Sequence, residues 1–120
     1  MISAKSLSCV LVGEGSLLLR CLAILSTRSF RVLAIVSSEA EIDVNLPLFP
    51  CLSQAIEELD ERPDLLFSIV NPNILSAADL SFPRLAAINY HDSPLPRYAG
   101  VNAPSWAIFM ARSGMVLPGT

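Results

Sequence analysis

The sequence predicts an α/β domain built as a three-layer, mostly parallel sheet. Residues 8–12, 31–36 and 64–70 are short, nearly continuous apolar runs, the pattern of strands covered on both faces. Between the first two runs, Leu18, Leu19, Leu22 and Leu25 recur at helical spacing, so that they form one stripe facing a core. Turn-forming residues, Gly13-Glu14-Gly15 and Asn71-Pro72-Asn73, follow two of the runs. Open sheets of this kind take their ligands at the carboxyl ends of the strands.

Each element can be justified in turn. Residues 8–12 (Ser-Cys-Val-Leu-Val) form a first buried strand, and Ser16 stands where it could cap a helix that ends near Arg28 or Ser29. Two glycines fall short of the dinucleotide fingerprint, and Glu14 would repel an anion, so a tight turn is expected there and not a phosphate site. Residues 31–36 complete a β-α-β unit with a right-handed crossover. Residues 44–49 could be a third strand, which Pro47 and Pro50 demote to an edge or a loop. Residues 52–59 carry Leu52, Ala55, Ile56 and Leu59 on one helical stripe, capped by Leu52's neighbour Ser53 or begun one residue earlier, while Glu57, Glu58, Asp60 and Glu61 face water. Pro63 ends that helix, residues 64–70 form a central strand, and residues 74–80 a short helical segment with Ser76 as its cap. The apolar run 85–88 is a further strand, and residues 102–111 are expected to be a helix. Asn102 would cap that helix, Pro104 suits its first turn, and Trp106 would join its apolar side.

At 120 residues the chain has room for one core. Its composition, 52% hydrophobic and 16% charged, excludes disorder. The net charge is −3 and the basic residues form no cluster, so direct contact with nucleic acid is not expected. No apolar run reaches the length of a membrane span, and no cleavage pattern follows the first residues, which argues against a signal peptide and a membrane partner. Cys9, Cys21 and Cys51 are odd in number and widely spaced. They offer no metal-ligand pattern, and a reduced, cytoplasmic setting fits them best.

The most informative stretch is residues 88–100, Ile-Asn-Tyr-His-Asp-Ser-Pro-Leu-Pro-Arg-Tyr-Ala-Gly. The strand leading into it delivers Asn89 and His91 to its carboxyl end, and period 2 sets those two residues on one side of the chain. Pro94 and Pro96 fix two φ angles and keep Ser93 and Leu95 out of the α region, while Gly100 is free to adopt conformations other residues avoid. An imidazole moves protons near neutral pH, and an asparagine amide can donate to a developing oxyanion. No acid-His-Ser arrangement supports a serine nucleophile.

Asn89-x-His91-x-Ser93-Pro94-Leu95-Pro96, followed by Gly100, resembles the signature loop of the folate-dependent formyltransferases. The longer match, from Phe67-Ser68-Ile69-Val70-Asn71 through His91 to Ala103, is most similar to formyltransferase-like domains of peptide and polyketide assembly lines. The resemblance implies a Rossmann-like sheet of the formyltransferase type, incomplete at the C-terminus. It also implies that residues 1–120 are the N-terminal two-thirds of the catalytic domain, with no separate C-terminal acceptor domain.

The activity it implies is transfer of a formyl group from 10-formyltetrahydrofolate to an amine acceptor, by direct attack and a tetrahedral intermediate. By the same resemblance His91 moves the proton and Asn89 holds the formyl oxygen. Ser68, Ile69, Val70, Asn71, Ser93, Leu95 and Gly100 would bind the folate donor, and no metal is implied. Asp92 is next to His91 in sequence and would point to the opposite side, while Arg97 and Tyr98 would line either the acceptor side or the plain surface.

The acceptor would be an amine-bearing small molecule or a carrier-bound substrate. The family also uses an Asp well downstream of the histidine, and residues 113–120 do not resemble the usual continuation. A non-catalytic or degenerate fragment that binds folate at most, and a formyltetrahydrofolate hydrolase, are therefore alternatives. The incomplete sheet edge would invite association with another chain.

Overall fold

The computed structural model describes residues 6–38, 44–69, 71, 75–91, 105–110 and 116–119. Its centre is β1 (Ser8–Gly13), buried along its whole length. On one flank β1 pairs in parallel with β2 (Arg31–Val36), and on the other with β4 (Leu65–Ile69). Outside β2 lies the two-residue β3 (Leu48–Phe49), again parallel. β5 (Ala86–His91) runs parallel to β4. Beyond it, β6 (Ser105–Met110) and β7 (Val116–Gly119) are each antiparallel to their inner neighbour. The seven strands stand in the order β3-β2-β1-β4-β5-β6-β7, so the expected α/β, mostly parallel sheet is present.

The apolar runs are explained by covering on two faces. Cys9 and Leu11 of β1 point with Ile35 toward α1 (Gly15–Thr27), where Leu18 completes the cluster. Phe30 meets Phe67 edge-on there, with ring centroids 6.1 Å apart. Val10 and Val12 point the other way, with Ala34, Val36, Leu66 and Ala87, against Leu52 and Ala55 of α2 (Leu52–Glu58) and against Phe82. A period of 2 along one strand thus serves two cores.

The ends of the elements are held by side chains. At the amino edge of the sheet the backbone N–H and the hydroxyl of Ser8 donate to the Asp64 carboxylate, at 3.0 and 3.3 Å. Ser76 caps α3 (Ala77–Ser81) as expected, in a reciprocal capping box with Asp79. The Arg62 guanidinium donates to the carbonyls of Phe82 and Ser81, at 2.9 and 3.0 Å, which satisfies acceptors just past that helix.

Several sequence expectations need correction. Residues 105–110 are a strand and not part of a helix. Trp106, Ile108 and Phe109 favour strands, and the outer row of β5 backbone groups needs partners. α1 begins one residue before Ser16: Gly15 has φ +77° and Glu14 is the N-cap residue. Leu19, placed on the apolar stripe by spacing, is 42% exposed. α2 begins after Cys51, so Ser53 lies within it and does not cap it.

The 44–49 region keeps an edge strand despite its prolines. The N–H groups of Ile35 in β2 and of Ser37 just after it donate to the carbonyls of Pro47 and Phe49, both at 2.9 Å, and a proline lacks only the donor that an edge strand does not use. Pro118 is tolerated in β7 on the same grounds, at the opposite edge.

Candidate functional site

Because β1, β2, β4 and β5 are parallel, their carboxyl ends meet at one edge of the sheet. The strand order reverses between β1 and β4, the position at which such sheets open a crevice. Gly13 sits at that point. A Cβ on it would lie 2.2 Å from the carbonyl oxygen of Ile69, so the two strand ends come together only because position 13 has no side chain.

One register row crosses this region. Val12 of β1 is opposite Ser68 of β4, and Ser68 is opposite Asn89 of β5. All three are on the α2 face, in step with the buried Val10, Leu66 and Ala87. Ser68 is 1% exposed, and its hydroxyl has no hydrogen-bond partner among the described residues. Asn89 is half-buried and is held through the backbone on both flanks, by β4 and by Ala107 of β6. His91 closes β5 two residues later, its backbone opposite Ser105.

A polar cleft of about 340 Å³ opens at the same edge, on the α2 side. Gly13, Glu14, Ser37, Ser38, Asn71 and Asp79 supply much of its polar wall. The Glu14 carboxylate spans two strand ends. It accepts from the Ser37 hydroxyl at 3.3 Å, from the Ser38 backbone N–H at 3.0 Å and from the Ser38 hydroxyl. Cys51 also lines the cleft. The Ser53 hydroxyl, and after it the Gln54 backbone N–H, holds its thiol below the ordinary value. No lysine or arginine is among the described residues that line it, and their hydroxyl, amide and backbone groups suit neutral, hydrogen-bonding ligand groups better than phosphates.

A second cleft, of about 420 Å³, is apolar and lies on the α1 face, between Leu17 and Cys21 of the helix and Ile69, Ile88 and Tyr90 of the sheet.

The residues expected to form a site are therefore divided. Ser68, Asn89 and the backbone of His91 come together at the ends of β4 and β5. Asn71 lines the polar cleft, and Ile69 lines the apolar cleft on the opposite face. Val70, Ser93, Leu95 and Gly100 lie outside the described residues, as do Asp92, Arg97, Tyr98, Asn102 and Pro104. Sequence reasoning missed the Glu14–Ser37–Ser38 bridge. Its signal was available: two serines directly after a parallel strand reach the same edge as the turn after the neighbouring strand. No cluster of side chains able to hold a metal ion occurs among the described residues. No helix among them is long and apolar enough to cross a membrane.

The chain is similar to known proteins over part of its length. The chain is 37% identical over 75 residues to the methionyl-tRNA formyltransferase of Citrifermentans bemidjiense, covering 62% of this chain and 24% of that protein. The Clostridium acetobutylicum methionyl-tRNA formyltransferase is 34% identical over 76 residues, 58% of this chain and 24% of its own length. The bifunctional polymyxin resistance protein ArnA of Wigglesworthia glossinidia brevipalpis is 38% identical over 47 residues, 39% of this chain and 7% of that protein.

The chain thus spans about a quarter of the length of the methionyl-tRNA formyltransferases it matches. No family model matches. Among solved structures, an uncharacterised Mycobacterium tuberculosis protein whose suggested activity is sugar N-formylation superimposes with a TM-score of 0.59. That match has 13% identity and covers 95% of this chain and 55% of the other, and it shows the shared fold. Over three-fifths of its length the chain is thus similar in sequence to methionyl-tRNA formyltransferases, and its sheet has the fold of the Mycobacterium tuberculosis protein.

Proposed function

We propose that the chain takes part in transfer of a formyl group from 10-formyltetrahydrofolate to an amine. The observation that carries this reading is the parallel register that sets Asn89 and His91 at the carboxyl end of β5, beside Ser68 at the end of β4, in a chain related to formyltransferases. The donor brings an activated formyl carbon. Attack by an amine nitrogen forms the new C–N bond, leaves negative charge on the formyl oxygen and must release a proton from the attacking nitrogen. Asn89 has the amide N–H groups to donate to that oxygen. His91, as a neutral imidazole, takes the proton and returns it to the leaving nitrogen of the donor.

The lining of the polar cleft supports a donor of this kind. Hydroxyls, the Asn71 amide and strand-end backbone groups meet there, with no cationic side chain among the described lining residues, which matches the uncharged hydrogen-bonding edge of a pterin better than a phosphate. Asn71 and the backbone at Ser68 and Ile69 are the described groups that would hold it, and Val70, Ser93, Leu95 and Gly100 would complete the set. The acceptor is an amine-bearing small molecule or an amine held on a carrier. Three cysteines, all free, support a reducing, cytoplasmic setting.

The test is formyl transfer and formate release from 10-formyltetrahydrofolate by the full chain, with and without an added amine. Amine-dependent consumption that Asn89→Ala and His91→Ala both abolish is the expected result. Consumption indifferent to both substitutions overturns the assignment, and formate release without amine dependence replaces it with hydrolysis.

A further inference from the structure

Among the described residues, Ser68 Oγ is the buried side-chain polar atom left without a hydrogen bond. A hydroxyl carries one donor and two acceptor sites, and a native interior rarely leaves all of them unmet. Its surroundings narrow what could meet them. On its own strand the residue facing the same way is Leu66, and across β1 it faces Val12, both apolar and buried. Across β5 it faces Asn89. Strands in register stand about 4.8 Å apart, a span that a serine hydroxyl and an asparagine carboxamide can bridge with small torsional changes.

We propose that Ser68 is a positioning residue for Asn89. With the formyl donor bound, the Ser68 hydroxyl donates to Asn89 Oδ1 and turns the carboxamide N–H groups toward the formyl oxygen. The two ends of a carboxamide are nearly equal in size, so only hydrogen bonding decides which one faces the substrate. A donor-capable hydroxyl in the adjacent register position makes that choice, and its burial keeps water from competing for it. This inference rests on the formyl-transfer reading given above, in which Asn89 touches the reacting oxygen; the Ser68 hydroxyl acts only through it.

The experiment uses the full chain with Ser68→Ala, Ser68→Thr, Asn89→Ala and the Ser68→Ala/Asn89→Ala pair, assayed on 10-formyltetrahydrofolate with an amine and followed by thermal melting. Ser68→Ala is expected to lower kcat about tenfold, the worth of one hydrogen bond at the reacting group, with KM little changed. It should melt no lower than the parent, because it removes an unmet group and not a contact. Ser68→Thr, or Ser68→Cys where the extra methyl prevents folding, should retain more activity than Ser68→Ala. In the Asn89→Ala background Ser68→Ala should cost nothing further. Unchanged kcat in Ser68→Ala, or an undiminished loss in the Asn89→Ala background, overturns the inference while leaving the formyl-transfer reading intact. An unsubstituted chain that consumes no donor overturns both, and that failure shows before any variant is made.

Discussion

Gly13 and Ile69 approach so closely that the missing side chain of one is the space occupied by the carbonyl of the other. The obstructing atom belongs to the backbone of a central strand, so it cannot swing aside. Gly13→Ala should therefore force β1 and β4 apart at the strand-order reversal, at a cost of about 2–3 kcal/mol. Urea unfolding of the variant beside the parent measures it. A loss below about 0.5 kcal/mol would show that the two strand ends yield easily.

At the opposite edge of the sheet, Asp64 and Ser8 bind each other in both directions. The Asp64 carboxylate accepts from the Ser8 N–H and hydroxyl, and the Asp64 N–H donates to the Ser8 hydroxyl at 3.0 Å. Asp64→Ala leaves the buried Ser8 groups short of an acceptor and should cost about 2 kcal/mol. The change lies at the amino ends of the strands, away from Asn89, so any turnover per folded molecule should be unaffected. Chemical denaturation and an activity assay on the same samples separate the two effects.

Asn89→Ala should reduce transfer by about a hundredfold or more, the usual loss when one donor to a developing oxyanion is removed. Asn89→Asp should fare no better, since a carboxylate repels the charge that the amide would receive. Steady-state rates at saturating donor, with melting curves to exclude unfolding, decide the matter.

The three thiols should behave differently with pH. Burial pushes the Cys9 thiol up from 9.0 to about 12, so in the folded chain it stays protonated where the unfolded chain has already released its proton. From about pH 9 upward the unfolded state thus binds fewer protons, and stability from Cys9 falls by about 1.4 kcal/mol per pH unit until about 12. Cys21 is shifted in the same direction by its burial. Cys51 is exposed and lowered, chiefly by the Ser53 hydroxyl, so it holds more thiolate near neutrality. Alkylation of the native protein should label Cys51 first, with Cys9 reacting only after denaturation, and Cys9→Ala should flatten the alkaline arm of the stability curve.

How much of this could be read from residues depended on whether the cause was local. β2 needed nothing but its apolar run and was found over residues 31–36 as drawn. The Ser76 cap was legible because its partner Asp79 is three residues away. The strand at 105–110 was not legible, because Trp106, Phe109 and Met110 can mark a helical stripe as well as a strand, and the deciding influence is the row of β5 backbone groups fourteen to twenty-four residues upstream. The Gly13 approach to Ile69 and the unmet hydroxyl of Ser68 are equally non-local. That a strand carries Asn89 and His91 to its carboxyl end was readable from the apolar run before them, whereas the register that brings Ser68 beside Asn89 was not.

β5 carries parallel hydrogen bonding on one side and antiparallel on the other, while β3 joins the sheet through two residues only. Their amide protons should therefore exchange for deuterium in heavy water at very different rates. The amide protons in β5 each face either β4 or β6, so neither side of the strand is an open edge, and their exchange waits on the separation of a long strand pair. Those between Leu48 and Phe49 exchange whenever a single short edge frays. The asparagine at the proposed reaction centre is thereby mounted on one of the slowest-breathing parts of the chain, and the wall of the polar cleft near Pro50 on one of the fastest.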